Sequence, residues 1–184
     1  MHLEKYTVKD IIFIAIIAAG YLISGFVAIP LIIGTGIYGS PYVIMAIFYA
    51  FFTVILLLKV HKPGCILLAA IINGLVLAMM SVVMLFMIVG GAIFTELITL
   101  LIFRSYEKKG AVITAGSLLM PLAFPVGLFT NTVIFGGSLE EIIGGGGGTA
   151  VNILCYLGTI VLAVVGSFIG WKVGSELKKA GKLK

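Results

Sequence analysis

The sequence predicts an all-α integral membrane protein with six transmembrane helices and both termini in the cytoplasm. Three observations support this prediction: an apolar composition, long stretches without ionisable residues, and the positions of the basic residues. Of the 184 residues, 61% are hydrophobic and 10% are charged, and the mean hydropathy is +1.28. Water-soluble domains are far less apolar, so this chain needs lipid around it.

The uncharged stretches set the number of helices. Asp, Glu, Lys, Arg and His are absent from residues 11–58, 63–95, 110–139 and 142–171. A spanning helix needs roughly 20 apolar residues, so the first stretch holds two helices, separated by a glycine-rich turn at 34–41. The chain is predicted to be a single domain, 1–184, with helices at about 9–33, 41–58, 64–80, 83–103, 111–135 and 149–172.

All twelve Lys and Arg residues fit one orientation. They lie before the first predicted helix, between the second and third, between the fourth and fifth, and after the sixth. Because Lys and Arg collect in cytoplasmic loops, we expect a multi-pass protein of the cell membrane with both ends inside. The basic clusters are short and lie beside the predicted helices, where orientation and anionic lipid explain them. We therefore expect no nucleic-acid partner despite the net charge of +5.

Several chemical functions lack their motifs. No G-x-x-x-x-G-K-[ST] phosphate loop occurs, and the glycine run at 144–148 has no lysine. The histidines, His2 and His61, are far apart in sequence, and Cys65 and Cys155 lie in different predicted helices, so neither a metal cluster nor a disulfide is indicated. We expect no enzymatic activity, no metal and no cofactor.

Glu96 is the only charged residue between residues 63 and 103. Eight positions before Arg104, it would lie about 12 Å from the cytoplasmic surface on a helix. Its burial in lipid would cost about 3 kcal/mol, so its carboxyl group must face protein or water. A ligand contact or gate is one interpretation. A bond to a neighbouring helix is the other, and the cytoplasmic depth favours it.

Candidate substrate-binding residues gather at the outer side of the predicted bundle. Interfacial aromatic belts and core methionines are common in membrane proteins. The asparagines are more informative, because two of them flank one outer loop, where amides orient a ligand or bond another helix. The candidates are Tyr38, Tyr42, Met80, Met84, Phe129, Asn131, Asn152 and Tyr156. Asn73, at mid-membrane, is assigned to helix packing.

Small residues recur at the spacing that lets two helix backbones approach closely. Ala15 and Ala19 share one face of the first helix, and Gly166, Gly170 and Gly174 share one face of the sixth. For the glycines we expect packing within the chain. For the alanines, packing within the chain and docking of a partner protein are both open.

Several of these segments carry a resemblance to a known family. They are A-x-x-x-A at Ala15 and Ala19, Lys-Pro-Gly at 62–64, and GAIFTE at 91–96 followed by RSY at 104–106. With its size and six predicted helices, the chain resembles the substrate-binding S components of energy-coupling factor (ECF) transporters, which capture vitamins in prokaryotic membranes. The segment at 91–106 is similar to the Trep_Strep group and to S components for thiamine precursors.

The resemblance implies a function and partners. In this family a small-molecule substrate binds at the extracellular side, and small residues of the first helix dock on a membrane T component that bears two ATPase subunits. Ala15 and Ala19 match that role. The docked S component topples in the membrane and carries its closed site inwards. The only tryptophan, Trp171, lies at the predicted cytoplasmic end, so no indole is available at the outer side to stack on a thiazole or pyrimidine ring. The substrate stays open among vitamins, precursors, nucleobase-like compounds and porphyrins.

Two other functions stay open. One is a membrane scaffold or assembly protein that acts through helix–helix contacts, and the other is a small self-contained carrier. A tightly retained small molecule would distinguish capture from a scaffold. The glycines at 136–137 and 144–148 give the loop before the last helix the backbone freedom of a mobile cover.

Overall fold

The computed structural model describes residues 5–144 and 148–181. His2, the glycines at 145–147, Lys182 and Lys184 lie outside the described residues. Every regular element within the described ranges is helical. In chain order the elements are α1 (Val8–Thr35), α2 (Ser40–Val60), α3 (Cys65–Ala78), α4 (Val82–Phe103), α5 (Lys109–Phe129), a π-helical turn (Thr130–Ile134), α6 (Leu139–Gly144) and α7 (Gly148–Lys179).

Five of the described helices are long and apolar enough to cross a membrane, namely α1, α2, α4, α5 with its π-helical turn, and α7. α3 is also apolar, but it has only 14 residues. At 1.5 Å per residue it is about 21 Å long, which is less than the hydrocarbon thickness. The chain is therefore an all-helical, multi-pass membrane protein with five candidate spanning helices.

Most helix ends lie within two residues of the predicted boundaries. α3 ends at Ala78, and the chain turns into α4 without glycine or proline, because the N–H groups of Met80 and Ser81 both bond the Leu77 carbonyl. α7 continues past residue 172 to Lys179. Charged residues mark the end of an apolar stretch, but they do not end a helix.

The short helix α6 lies where a loop was predicted. The Ser138 hydroxyl accepts a hydrogen bond from the Glu141 N–H at 3.1 Å. This is the N-cap arrangement that begins many helices. The Ser-x-x-Glu pattern at 138–141 is typical of a helix start, so the sequence contained a signal for α6.

α2 is the central helix and packs closely along α7. A Cβ atom at Gly170 would lie 2.8 Å from the Phe51 carbonyl oxygen, and one at Gly166 would overlap the backbone of Ile47. Gly174 meets the Leu58 side chain in the same way. These glycines therefore pack within the chain, as predicted.

A buried layer of aromatic and polar side chains joins α1, α2 and α3. The rings of Tyr21 and Tyr49 stack with centroids 4.4 Å apart and planes 7° apart. The hydroxyls of Tyr21 and Thr53 share a 2.7 Å hydrogen bond, and the Asn73 amide donates to the Tyr49 hydroxyl at 2.8 Å. Asn73 serves helix packing, as predicted.

The first turn of α3 is capped by a side chain from another helix. The N–H groups of Gly64 and Ile66 each lie 2.9 Å from a carboxyl oxygen of Glu96, and that of Leu67 lies at 3.4 Å. Glu96, on α4, is only 8% exposed. The first N–H groups of a helix have no partner within the helix, and burial without one costs free energy. Glu96 supplies the missing acceptor.

The segment that precedes α3 is held by the start of the chain. The Tyr6 hydroxyl donates to the Pro63 carbonyl at 2.6 Å. Burial raises the pKa of this hydroxyl above its usual range, so Tyr6 remains a neutral donor. The Lys62 ammonium lies 2.9 Å from Asp10 Oδ2 and donates to the Lys5 carbonyl. The start of α3 is thus fixed by both α1 and α4.

We predict that Glu96→Gln lowers the stability of the bundle. Glutamine has one acceptor oxygen, so at least one buried N–H group of the α3 first turn loses its partner. The expected cost is about 1–3 kcal/mol, measured as a lower unfolding temperature in detergent. The matched control is Glu140→Gln, on the exposed surface of α6, which should change stability by less than about 0.5 kcal/mol. Equal unfolding temperatures would contradict the capping role.

Candidate functional site

A cavity of about 470 Å³ opens at one end of the bundle. It is bounded by the second half of α1, the first turns of α2, the turn between α3 and α4, the first turns of α4, and the end of α5. The basic residues of the α2–α3 and α4–α5 connections lie at the opposite end, because these connections join the other ends of the same helices. Among the residues that the structure describes, the cavity end of the bundle therefore has no Lys or Arg.

Tyr38 and Tyr42 form an aromatic wall of the cavity. Their hydroxyl oxygens are 2.9 Å apart. Phe124 packs edge-on against both rings, with centroids at 5.4 and 4.9 Å. Tyr156 contacts Phe124 at 5.0 Å without lining the cavity, so it supports the wall from behind. Gly127 leaves room for the two hydroxyls, since a Cβ atom there would lie 2.6 and 2.8 Å from them.

Methionines form much of the remaining lining. Five of the seven methionines in the sequence contribute to it. Thioether side chains are flexible and polarizable, and they pack well against aromatic rings. The five are Met45, Met80, Met84, Met87 and Met120.

Two of these methionines, Met80 and Met84, were predicted from the sequence, and the other three were not. Met87 lies one helical turn after Met84 on α4, and Met45 lies one turn after Tyr42 on α2. The i, i+3 and i+4 spacing was a usable signal for both. Met120, on α5, follows no such pattern and joins the cavity only through the tertiary fold.

The polar groups of the cavity are few and neutral. Asn131 lies in the π-helical turn after α5 and donates an amide hydrogen to the Gly127 carbonyl at 3.0 Å. π-Helical turns of this kind occur often at functional sites. Ser81, the residue before α4, makes no side-chain cap to that helix. Among the described residues, no Asp, Glu, Lys, Arg or His lines the cavity.

Two segments at the cavity end of the bundle, which we call the outer segments, contribute to the lining and are joined by one asparagine. They are the α1–α2 turn and α6, which contributes Ile142. Asn152, on α7, accepts a hydrogen bond from the Gly39 N–H at 2.9 Å and donates to the Ile143 carbonyl at 2.8 Å. It also donates to the Gly148 carbonyl at 3.3 Å. Asn152 thus ties both outer segments to α7 and does not itself line the cavity.

The candidate residues from the sequence have different positions. Three do not line the cavity: Asn152 and Tyr156 pack behind it, and Phe129 is 59% exposed on the surface of the bundle. The structure brings the other five together around the cavity, namely Tyr38, Tyr42, Met80, Met84 and Asn131.

Ala15 and Ala19 lie on an uncovered face of α1. Both are exposed, and exposed isoleucines, Ile12 and Ile16 among them, flank the pair. Ile14, by contrast, is buried in the core. None of the other described helices occupies the shallow surface that the two alanines form.

The described part of the chain has no group of three or more His, Cys, Asp or Glu side chains that could hold a metal ion. Comparison of the chain with protein-family models, with curated proteins and with solved structures finds no match. A functional assignment therefore depends on the cavity, the α1 face and the sequence resemblance.

We predict that mutation can distinguish the effects of the two hydrogen bonds by which Asn152 holds the outer segments. Asn152→Ala removes the partners of both Gly39 and Ile143, so backbone hydrogen exchange should rise about fivefold in both outer segments, as expected for about 1 kcal/mol. Asn152→Asp keeps an acceptor for the Gly39 N–H but loses the donor to the Ile143 carbonyl, so the rise should be confined to α6.

The measurement is hydrogen exchange by mass spectrometry in nanodiscs, with peptides that cover residues 36–42 and 138–144. Peptides from the α2–α7 contact serve as the internal control and should not change. Unchanged exchange in both outer segments of Asn152→Ala would contradict this role.

Proposed function

We propose that this chain is the substrate-capture subunit of an ECF-type importer. It binds a small molecule in the cavity at the extracellular side and delivers it inwards with a membrane T component and two ATPase subunits. The observation that carries the proposal is a cavity whose described lining has no charged side chain, at the end of the bundle away from the described basic residues. The resemblance of the helix-one and helix-four segments to S components supports it.

The orientation in this proposal requires six membrane crossings. α2 ends beside the Lys62 segment, whereas the start of α4 lines the cavity, so α3 connects the two ends of the bundle. We count it as a crossing despite its 14 residues. Six crossings put both termini and the basic connections on one side, which is cytoplasmic by the positive-inside rule. Five crossings would divide the basic residues between the two sides.

A helix as short as α3 can cross only with help from the surrounding protein. Backbone outside a helix is tolerated at membrane depth where protein buries it and satisfies its hydrogen bonds. The carboxyl group of Glu96 and the hydroxyl of Tyr6 satisfy the segment that leads into α3. We assign Glu96 to this structural role and not to the substrate.

The exposed α1 face supplies a docking surface in the proposal. Small residues allow a second helix to approach closely, and van der Waals contact drives association in lipid. Ala15 and Ala19 provide such a surface between exposed isoleucines. A helix of the T component is the partner that we propose for it.

The alternatives explain fewer features. A scaffold would use the α1 face but would have no need for a cavity of about 470 Å³. A self-contained carrier needs a path through its own bundle. Here the stacked rings of Tyr21 and Tyr49 close the space between α1 and α2, one helical turn beyond Met45 of the cavity lining. Capture followed by movement of the whole subunit requires no such path.

We predict that Ala15→Leu with Ala19→Leu abolishes partner association. Two larger side chains prevent close helix approach on a surface that contributes nothing to the core. Affinity purification from the native membrane should recover a multi-pass partner and two ATPases with the wild type, and at least about tenfold less with the double variant. Tenfold corresponds to about 1.4 kcal/mol.

The matched control is Ile12→Leu with Ile16→Leu, which keeps the volume of the same exposed face and should retain the partners. The unfolding temperature of the bundle should be the same in all three proteins. Equal partner recovery with both double variants would contradict the docking face. Recovery of a stable partner without any ATPase would support the scaffold.

A further inference from the structure

The lining of the cavity indicates the chemical class of its ligand. We propose that the cavity binds an uncharged, mainly apolar ring compound that presents one hydrogen-bond donor to Asn131. This inference rests on the proposed function, because it names the substrate class of the same site. It concerns the binding step alone.

The cavity is large enough for an organic ligand with more than a single ring. Apolar cavities of about 150 Å³ bind benzene, and ligand pockets usually measure about 300–1,000 Å³. At about 470 Å³, this cavity has room for a fused ring system. Thioethers also bind soft metal ions, but the Met87 sulfur already accepts a hydrogen bond from Tyr42 at 2.8 Å. A single ion would leave most of the volume empty.

The absence of charge in the lining selects against ions. A charged ligand loses its hydration on entering the cavity, and this cost is recovered only if an opposite charge or several hydrogen bonds replace the water. No Asp, Glu, Lys, Arg or His among the described residues lines the cavity. Glu140 and Glu141 lie on the exposed surface of α6. An uncharged ligand therefore has the advantage.

The hydrogen bonds around the tyrosines determine which polar group stays free. Tyr42 donates its only hydroxyl proton to the Met87 sulfur. In the 2.9 Å contact between the tyrosines, Tyr38 must then be the donor. Both hydroxyl protons are consequently used within the wall.

Asn131 is left with an acceptor. The Gly127 carbonyl can only accept, so the amide nitrogen of Asn131 points to it. Because Tyr38 donates to Tyr42, its contact with Asn131 uses the second amide hydrogen. The amide oxygen then remains for the ligand, and a donor such as N–H or O–H is its complement. The aromatic and thioether walls suit the apolar remainder of a ring compound.

The test uses four naphthalene probes of similar size. 2-Naphthamide is uncharged and has an N–H donor, methyl 2-naphthoate is uncharged and has none, 2-naphthoate is an anion, and 2-(aminomethyl)naphthalene is a cation. Binding is measured by equilibrium dialysis against the full chain in nanodiscs, with empty nanodiscs subtracted. We expect saturable binding of one 2-naphthamide per chain, at least about tenfold tighter than either ion.

Two variants connect that binding to the cavity. Gly25→Leu should abolish it, because Gly25 lines the cavity and a Cβ atom there meets only the end of Met45, at 3.8 Å. The control is Gly34→Leu on the same helix, where a Cβ atom has no neighbour within 4 Å. Asn131→Ala should remove the preference for 2-naphthamide over methyl 2-naphthoate, about fivefold for one hydrogen bond.

Tighter binding of either ion, no saturable binding of 2-naphthamide, or equal binding by Gly25→Leu would overturn the inference. Dialysis needs no T component, so its outcome is independent of the docking experiment. A preference for an ion would overturn the ligand class but would leave the capture function standing. Failure of the wild type to recover any ATPase would refute that function and would leave the ligand class intact.

Discussion

The position of the cavity depends on one interaction, the capping of α3 by Glu96. A helix that begins inside a membrane protein has several N–H groups that water cannot reach. Because a carboxyl group from α4 accepts them, α3 begins deep in the bundle. Its 14 residues then end where Met80 and Ser81 enter the cavity lining. A start nearer to the membrane surface would displace the turn that forms the cavity rim.

The remaining volume follows from the side chains that fill the bundle at each level. At the level of Tyr21 and Tyr49, stacked rings close the space between α1 and α2. Farther along the same helices, Gly25 contributes no side chain and faces only the end of Met45. Between α1 and α2, Gly25 and the flexible thioether of Met45 therefore take the place that stacked rings fill one turn away. Because thioether side chains are flexible, the lining can adapt to the shape of a ligand.

Much of the fold could be predicted because it depends on local composition. Apolar stretches and loop charges revealed the helices, and depth alone favoured a bond from Glu96 to another helix. The site was harder to predict from the sequence, because lipid-facing residues and core residues of a membrane protein are equally apolar. Phe129 and Met84 look alike in sequence, yet only Met84 lines the cavity. The contributions of Met120 and Asn152 arise from contacts between helices distant in sequence, which periodicity does not reveal.

A small molecule retained by the protein would test the central claim most directly. Native mass spectrometry of the chain purified from its own membrane should show one bound compound per chain. That compound should be uncharged at neutral pH. It should be absent from a Gly25→Leu variant whose unfolding temperature equals that of the wild type. Repeated detection of the intact, folded chain without any bound compound would contradict a capture function.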